Sequence, residues 1–236
     1  MKVRIKYTKS GHFRFIGHLD VMRYFQKAVK RAELDIAYSQ GFSPHQLMSF
    51  AAPLALGVTS EGEYFDAEFH SLVSSDEFIR RLNEQMVEGM KVNDVILLPD
   101  HAKNSMSIVA ASDYHISFAD KADSVALAYQ AELLETANHL LEHPVIEVFR
   151  KTKKSEKIED IKKGILKLHP DGDQLYMLLA TGSEYNLKPE LVVEALCKDV
   201  GCEYHKFDYR VHRIETYMKN EEGQLVSLLE SGTRMT

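Results

Sequence analysis

Three residues near the N-terminus, Tyr7, His12 and His18, are of types that transfer protons in enzymes. Metal-independent cleavage of RNA requires a base that takes the proton of the 2′-hydroxyl group and an acid that protonates the leaving oxygen. Within "GHFRFIGHLD" (11–20), the two histidines stand at either side of a short apolar segment. Tyr7, His12 and His18 are therefore the candidate catalytic residues, although histidines near loops are also common without any catalytic role.

A second group of residues has the chemistry that binds nucleic acid. Lysine and arginine bind phosphates, aromatic rings stack on unpaired bases, and amide and imidazole groups read base edges. The segment 23–31 is rich in cations, and "YSQGFSPHQLMSF" (38–50) follows it with aromatic and polar side chains. The candidates are Arg23, Lys27, Lys30, Arg31, Tyr38, Gln40, Phe42 and His45, with Phe50 as a further stacking face. A protein-binding surface and a purely structural turn are the alternatives.

The charge of the chain is unevenly distributed. The net charge is -6, yet residues 1–50 contain nine Lys/Arg against three Asp/Glu, and "RKTKKSEKIEDIKKGILK" (150–167) contains eight against three. Because salt screens each charge beyond roughly 8 Å, basic segments can bind polyanions within an acidic protein. Lys151, Lys153, Lys154 and Lys157 are therefore candidates to extend the phosphate-binding surface, and a solvated face is the alternative.

The sequence offers little for a metal or cofactor. Cys197, Cys202, His205 and His212 lie close together in the sequence, but the spacing of the cysteines is not that of a zinc site. A buried and a loop cysteine are the simpler interpretation. No CxxxCxxC set, phosphate-binding GxxxxGK[ST] loop, GxGxxG or GxSxG motif occurs. We expect no metal and no cofactor in this chain, and a chain that is not itself an enzyme.

Hydrophobic periodicity predicts strand, helix, strand, strand, helix, strand over residues 1–100. In "HLDVMRYFQKAVKRAEL", Met22, Phe25, Val29 and Ala32 share one helical face, and the cations lie largely on the other. In "GEYFDAEFH", Asp66 and Glu68 alternate with Phe65, Ala67 and Phe69, which is typical of a half-exposed strand. This order predicts a ferredoxin-like βαββαβ domain that includes the basic helix and the loop 38–50.

The order of elements recurs more loosely over residues 107–219. A helix with Leu127, Leu134 and Leu141 at heptad spacing, a hairpin around "HPDGD" and a helix that begins near "LKPELVVEALC" are predicted. The fold class is thus α+β with two tandem ferredoxin-like units, 1–100 and 107–219, and residues 220–236 form a tail with a short helix and a frayed end.

Two compositional features indicate where the protein resides. No segment has the run of uncharged apolar residues that spans a membrane, and the N-terminus reads as a strand and not as an export signal. Two cysteines are too few for a disulfide framework. We expect a cytoplasmic protein without membrane contact.

The segment "RFIGHLDVMRYFQKAVKRAELDIAYSQGFSPHQLMSFAAPLALGVTSEGEYFDAEF" resembles the radical-SAM-linked proteins, an uncharacterised bacterial family. Its members are encoded beside, or fused to, cobalamin-binding-type radical SAM proteins. "KTKKSEKIEDIK", "NLKPELVVEAL" and "YRVHRIETYM" extend the resemblance over nearly the whole chain. The chain departs from the family pattern at Gln46, Leu47, Ala52, Ala55, Tyr185 and Lys188.

The resemblance implies a radical SAM protein as partner and RNA modification as the process. Together with the cations and aromatic residues, it predicts a non-catalytic accessory protein that recognises or presents tRNA or rRNA, with no DNA bound. A metal-independent endoribonuclease, and a protein-protein scaffold without RNA, are the alternatives.

Overall fold

The computed structural model describes residues 1–121, 123–151, 156–183 and 185–236. The expected α+β class is confirmed, with strands that pair antiparallel. The chain forms two compact units, one of residues 1–110 and 215–236 and the other of residues 111–214. In the described ranges, every helix is too short or too polar to cross a membrane.

The strands and helices have the following bounds. The strands are β1 (Lys2–Lys9), β2 (Met48–Phe50), β3 (Thr59–Glu68), β4 (Met90–Leu97), β5 (Val109–Phe118), β6 (Glu147–Lys151), β7 (Glu156–Asp160), β8 (Ile165–Asp171), β9 (Gln174–Ala180), β10 (Tyr209–Lys219) and β11 (Leu225–Ser227). The α-helices are α1 (His18–Arg31), α2 (Ser75–Asn83), α3 (Ser105–Ile108), α4 (Val125–Ala128), α5 (Gln130–His139) and α6 (Pro189–Val200).

In the first unit, β1 pairs with β4 on one side and with β3 on the other, and β2 pairs with β3. One face of these strands packs against the two helices. Five apolar side chains are fully buried there: Ile5 and Phe65 from the sheet, Phe25 from α1, and Phe78 and Leu82 from α2. The apolar stripe that the sequence predicts for α1 is therefore the stripe that seats this helix on the sheet.

The opposite face of β1 and β3 carries a buried ion pair. Arg4 Nε and Nη2 donate to the two carboxylate oxygens of Asp66 at 2.8 and 3.0 Å, and both residues are almost entirely inaccessible to solvent. The other donors of Arg4 reach Lys103 O (3.2 Å), Leu228 O (3.4 Å) and Ser231 Oγ (2.6 Å). The backbone N–H of Ser105 also donates to Asp66, at 2.7 Å.

The alternation predicted that Asp66 lies on a half-exposed strand face. Asp66 is instead buried. Its neighbour Glu68 on the same face is exposed as expected. The difference arises because segments around 103–105 and 228–231, which are remote in sequence, cover the face at Asp66. Alternation reports which residues share a face, but it does not report what covers that face.

The predicted tail also differs from the structure. Residues 220–236 belong to the first unit, where β11 pairs with the end of β10 and a 3-10 turn spans Leu228–Ser231. Thr233 exchanges backbone hydrogen bonds with Leu97 at the end of β4. Leu228 is fully buried and its carbonyl accepts from Arg4, so these residues are held by the ion pair and do not fray.

In the second unit, the strand order is β10-β5-β9-β8, and β6 and β7 form a separate two-stranded sheet. The predicted hairpin is formed by β8 and β9, whose turn has Gly172 at a φ of 62°. Helix α6 begins with Pro189, as predicted, and ends at Gly201, whose φ is 81°. Both features are typical of helix ends.

The helical segment 125–139 is divided into α4 and α5, and the leucines at heptad spacing are not the residues that face the core. Ala126, Leu133 and Leu140 are buried, whereas Leu127 is exposed and Leu134 and Leu141 are only half-buried. Both triplets are spaced by seven residues. Heptad spacing is therefore compatible with either of two adjacent helix faces as the buried one.

Removing the Asp66 carboxylate leaves Arg4 as a buried cation without its partner. We expect Asp66→Ala to lower the free energy of unfolding by about 3–5 kcal/mol. Glu68→Ala, on the exposed end of the same strand, is the matched control and should change it by less than about 0.5 kcal/mol. Urea denaturation followed by circular dichroism measures both. Equal effects of the two substitutions would contradict the role of the ion pair.

Candidate nucleic-acid interface

The cations of α1 lie on its solvent side. Val21, Phe25, Ala28 and Val29 are buried, whereas all four predicted phosphate-binding residues are exposed: Arg23, Lys27, Lys30 and Arg31. Arg23 Nη1 lies 3.1 Å from Asp20 Oδ1, an exposed pair that costs little to break. Arg31 Nη2 donates to the carbonyl of Gln85 at 2.8 Å. The helix therefore presents a row of positive charge along about two turns.

The segment 38–46 is a closed loop whose two ends are joined by hydrogen bonds. Tyr38 and Gln46 form a β-bridge, and the N–H of Ser39 donates to His45 O at 2.8 Å. Ser39 Oγ also lies 2.8 Å from His45 Nδ1. The loop tip contains Gly41, at a φ of 110°, followed by Phe42, whose side chain is fully exposed.

The predicted base-reading residues all belong to this loop, and Tyr38, Gln40, Phe42 and His45 are exposed. Phe50 is different, because it is buried in the core with its ring stacked on Phe65 at 4.9 Å between centroids. The interpretation of Phe50 as a stacking face for bases is therefore wrong. Its position in β2, paired with β3, turns the ring inward.

Gln46 fastens the loop to α1, a role that the sequence did not indicate. Its Nε2 donates to the carbonyl of Gln26 at 3.1 Å, and the N–H of the next residue, Leu47, donates to Ala37 O at 3.0 Å. Gln26 lies between Arg23 and Lys27 in α1. The loop is thus anchored beside the middle of the row of cations.

The three candidate catalytic residues have different surroundings. Tyr7 is buried, with its ring 4.7 Å from Phe25 and 5.8 Å from Phe65, and it contributes to the core. His12 is exposed on the 3-10 turn Gly11–Phe15. His18 is the first residue of α1 and is half-buried, with its ring edge-on to Phe50. Of the three, only the two histidines are accessible to a substrate.

His18 lies within reach of two buried charges that the sequence analysis missed, Lys9 and Glu63. Lys9 is only 2% exposed and donates through Nζ to Ile16 O at 2.8 Å, and Glu63 is 3% exposed. Burial lowers the pKa of Lys9, while the charge of Glu63 opposes this shift. Burial also lowers the pKa of His18, which Glu63 raises and Lys9 lowers further. A neutral imidazole beside a carboxylate is an arrangement that can accept a proton.

A sequence signal for Lys9 and Glu63 did exist. Lys9 continues the alternation Val3, Ile5, Tyr7 along β1, and Glu63 occupies the same phase of β3 as Phe65. Charged residues in the apolar phase of a strand are candidates for burial.

The second basic segment is only partly described. The side chain of Lys157 is exposed, and its Nζ lies 3.3 Å from Glu159 Oε2. Lys151 is described by its main chain in β6, and Lys153 and Lys154 lie outside the described residues. In the ranges that are described, no group of three or more His, Cys, Asp or Glu residues is placed to hold a metal ion.

A family model described as "uncharacterized protein conserved in bacteria (DUF2344)" matches residues 2–189. A search of curated proteins gives no match. Among solved structures, the chain is similar to one chain of a "Crystal Structure of a Cbf5-Nop10-Gar1 Complex", with 8% identity and a TM-score of 0.42. That similarity covers 93% of this chain and 50% of the other chain. The present chain therefore spans about half the length of the chain that it matches. A likeness this distant carries no functional argument.

The surroundings of His18 predict its titration. We expect its NMR titration midpoint to lie below the ordinary value of about 6.5. Glu63→Gln should lower the midpoint further because it removes a stabilising negative charge, and Lys9→Met should raise it. His18→Gln identifies the resonance. Shifts of the same sign in the two variants would contradict this arrangement of charges.

Proposed function

We propose that this chain, which belongs to the family of uncharacterized proteins conserved in bacteria, is a non-catalytic accessory protein that recognises RNA. In this proposal, α1 and the loop 38–46 bind single-stranded or looped RNA, such as an exposed loop of tRNA or rRNA. The chain then presents that RNA to a separate enzyme, which modifies it.

One observation carries the proposal: the hydrogen bond from Gln46 to the carbonyl of Gln26 anchors the loop beside the cations of α1. The base of the loop, whose tip has an exposed aromatic ring, is therefore attached to the helix that has the phosphate-binding side chains. Phosphate contacts supply affinity and position the strand, and stacking on an aromatic ring requires an unpaired base.

The composition of the loop favours RNA without extensive base pairing. Phe42 offers both faces of its ring to a base, and Gln40 and His45 have groups that bind base edges. In an RNA duplex the bases are stacked on each other and the deep major groove is too narrow for side chains. The loop therefore fits an unpaired segment better than a helix.

The partner enzyme is proposed from the resemblance to the radical-SAM-linked proteins. That resemblance assigns the reactive cluster to a different polypeptide, and the present chain has only two cysteines, too few to hold such a cluster by itself. Both features are consistent with one chain that recognises the RNA and another chain that carries out the reaction. We place this pair of proteins in the cytoplasm.

The same proposal includes the architecture of two ferredoxin-like units. The neighbour order β4-β1-β3-β2 in the first unit and β10-β5-β9-β8 in the second supports it. In the first unit, α1 and α2 stand in a strand-helix-strand-strand-helix-strand order. In the second unit, the α4-α5 segment and α6 give the same order if the β6-β7 pair is treated as an insertion.

The lysines of α1 provide a test of RNA binding. We expect wild-type binding to weaken steeply with salt, and Lys27→Ala with Lys30→Ala to reduce the slope of log Kd against log salt by about 1.4, at roughly 0.7 per phosphate contact on a single strand. Fluorescence anisotropy with labelled tRNA and rRNA fragments in EDTA measures this slope. Lys188→Ala with Lys206→Ala, two exposed lysines of the second unit outside the basic segment 150–167, removes the same charge and should leave the slope unchanged.

Three outcomes would overturn the proposal. Equal loss of binding in both double variants would remove α1 from the interface. Absence of binding at low salt would leave the surface for a protein partner, and RNA cleavage that His18→Gln abolishes would favour the endoribonuclease.

The exposed ring of Phe42 predicts a preference for unpaired bases. We expect Phe42→Ala to weaken binding of a single-stranded or looped RNA by about 1–3 kcal/mol, or roughly 5- to 150-fold, because one base loses its stacking partner. Binding of a fully paired duplex should change little, and Phe42→Trp should retain affinity. Phe207→Ala, at another highly exposed ring, is the matched control. An equal loss on duplex and single strand would contradict stacking at Phe42.

A further inference from the structure

The second unit contains a cavity with two thiols. It is lined by the last turns of α6, by β6 and by the residues that follow α6, and it contains Cys197, Cys202 and Tyr204. Cys197 is buried and Cys202 is half-buried, so the cavity connects an inaccessible thiol with a more accessible one. Neither residue has a part in the proposed RNA surface.

The end of α6 brings the two cysteines together. Gly201, in the left-handed conformation, reverses the chain, and the N–H groups of Gly201 and Cys202 both donate to Cys197 O at 2.9 Å. Both cysteines line the same cavity, and the neighbouring Cys202 contributes to the raised pKa of Cys197. Cys197 Sγ also lies 3.0 Å from the hydroxyl group of Tyr209.

Such a turn commonly places two apolar side chains in contact, but it does not require both to be thiols. A disulfide requires two nearby Cα atoms and side chains that point toward each other. The main-chain hydrogen bond between the two cysteines supplies the first condition, and the position of both residues in the lining of one cavity supports the second.

We propose that Cys197 and Cys202 form a redox-active dithiol that a low-molecular-weight disulfide converts into an intramolecular disulfide. In the first step, the thiolate of Cys202 attacks one sulfur of the reagent, forms a mixed disulfide and releases one thiolate. In the second step, the thiolate of Cys197 attacks Cys202 Sγ, forms the intramolecular disulfide and releases the second thiolate of the reagent. The two cysteines lose two electrons and two protons, and the reagent leaves as two thiols.

The surroundings assign these two steps to different cysteines. Cys202 is the more accessible thiol, so it meets the reagent first. Burial raises the pKa of Cys197 to about 12, which limits the fraction of thiolate, while the hydrogen bond with Tyr209 opposes this shift. The second step is therefore the slower chemical step, but the turn after α6 holds its two reacting residues close together. A reducing environment returns the pair to the dithiol.

The test uses the full-length reduced protein and 4,4′-dithiodipyridine, with thiopyridone release followed by absorbance and the product by intact-mass spectrometry. We expect two equivalents of thiopyridone, a protein that has lost the mass of two hydrogen atoms, and full reversal by dithiothreitol. Peptide mapping should find a Cys197–Cys202 link.

Single variants separate the two steps. Cys197→Ser should release one equivalent of thiopyridone and retain the pyridyl adduct at Cys202. Cys202→Ser should react with the reagent far more slowly than the wild type. If Cys197→Ser does not fold, Cys197→Ala and the mass of the wild-type product decide the question. A stable adduct on each cysteine, a disulfide between two molecules or no reaction would each overturn the proposal. Loss of RNA binding in other experiments has no bearing on this result.

Discussion

The buried ion pair between Arg4 and Asp66 is the interaction on which the first unit depends. It joins β1 to β3 in the register that places Arg4 opposite Asp66. Through the other donors of Arg4, it also holds segments near residue 103 and near residue 228 on the sheet. A buried charge without its partner is strongly destabilising. The hydrogen bonds of Arg4 to these remote parts of the chain therefore form together with the ion pair.

The same register positions the site on the opposite face of the sheet. Because side chains alternate along a strand, a pairing that puts Arg4 and Asp66 on one face puts Ile5 and Phe65 on the other, with Tyr7 opposite Glu63 further along. The rings of Phe65 and Tyr7 pack against Phe25 of α1. The orientation of α1, and hence of its cations, follows from that contact.

Preorganisation distinguishes the loop 38–46 from an ordinary connection. Hydrogen bonds close its base, and Gln46 fixes it to α1, so binding a ligand would order few additional groups. A surface that is ordered before binding loses less conformational entropy in the complex. The second unit uses backbone geometry in a different way, because the turn after α6 brings two cysteines five residues apart in sequence close together.

The sequence by itself determined the local features: the α+β class, the amphipathic helix α1, the β8-β9 hairpin, and the proline at the start of α6. These depend on periodicity and on backbone preferences, which act between neighbouring residues. It did not determine that Asp66 is buried, that Phe50 faces the core, that residues 225–231 pack on the sheet, or that Leu133 and not Leu134 faces the core of the second unit. Nor did it reveal Gln46 as an anchor or Lys9 and Glu63 as neighbours of His18. Each of these depends on which distant segment covers a given face, and only the tertiary structure decides that, because the same local pattern is compatible with several partners.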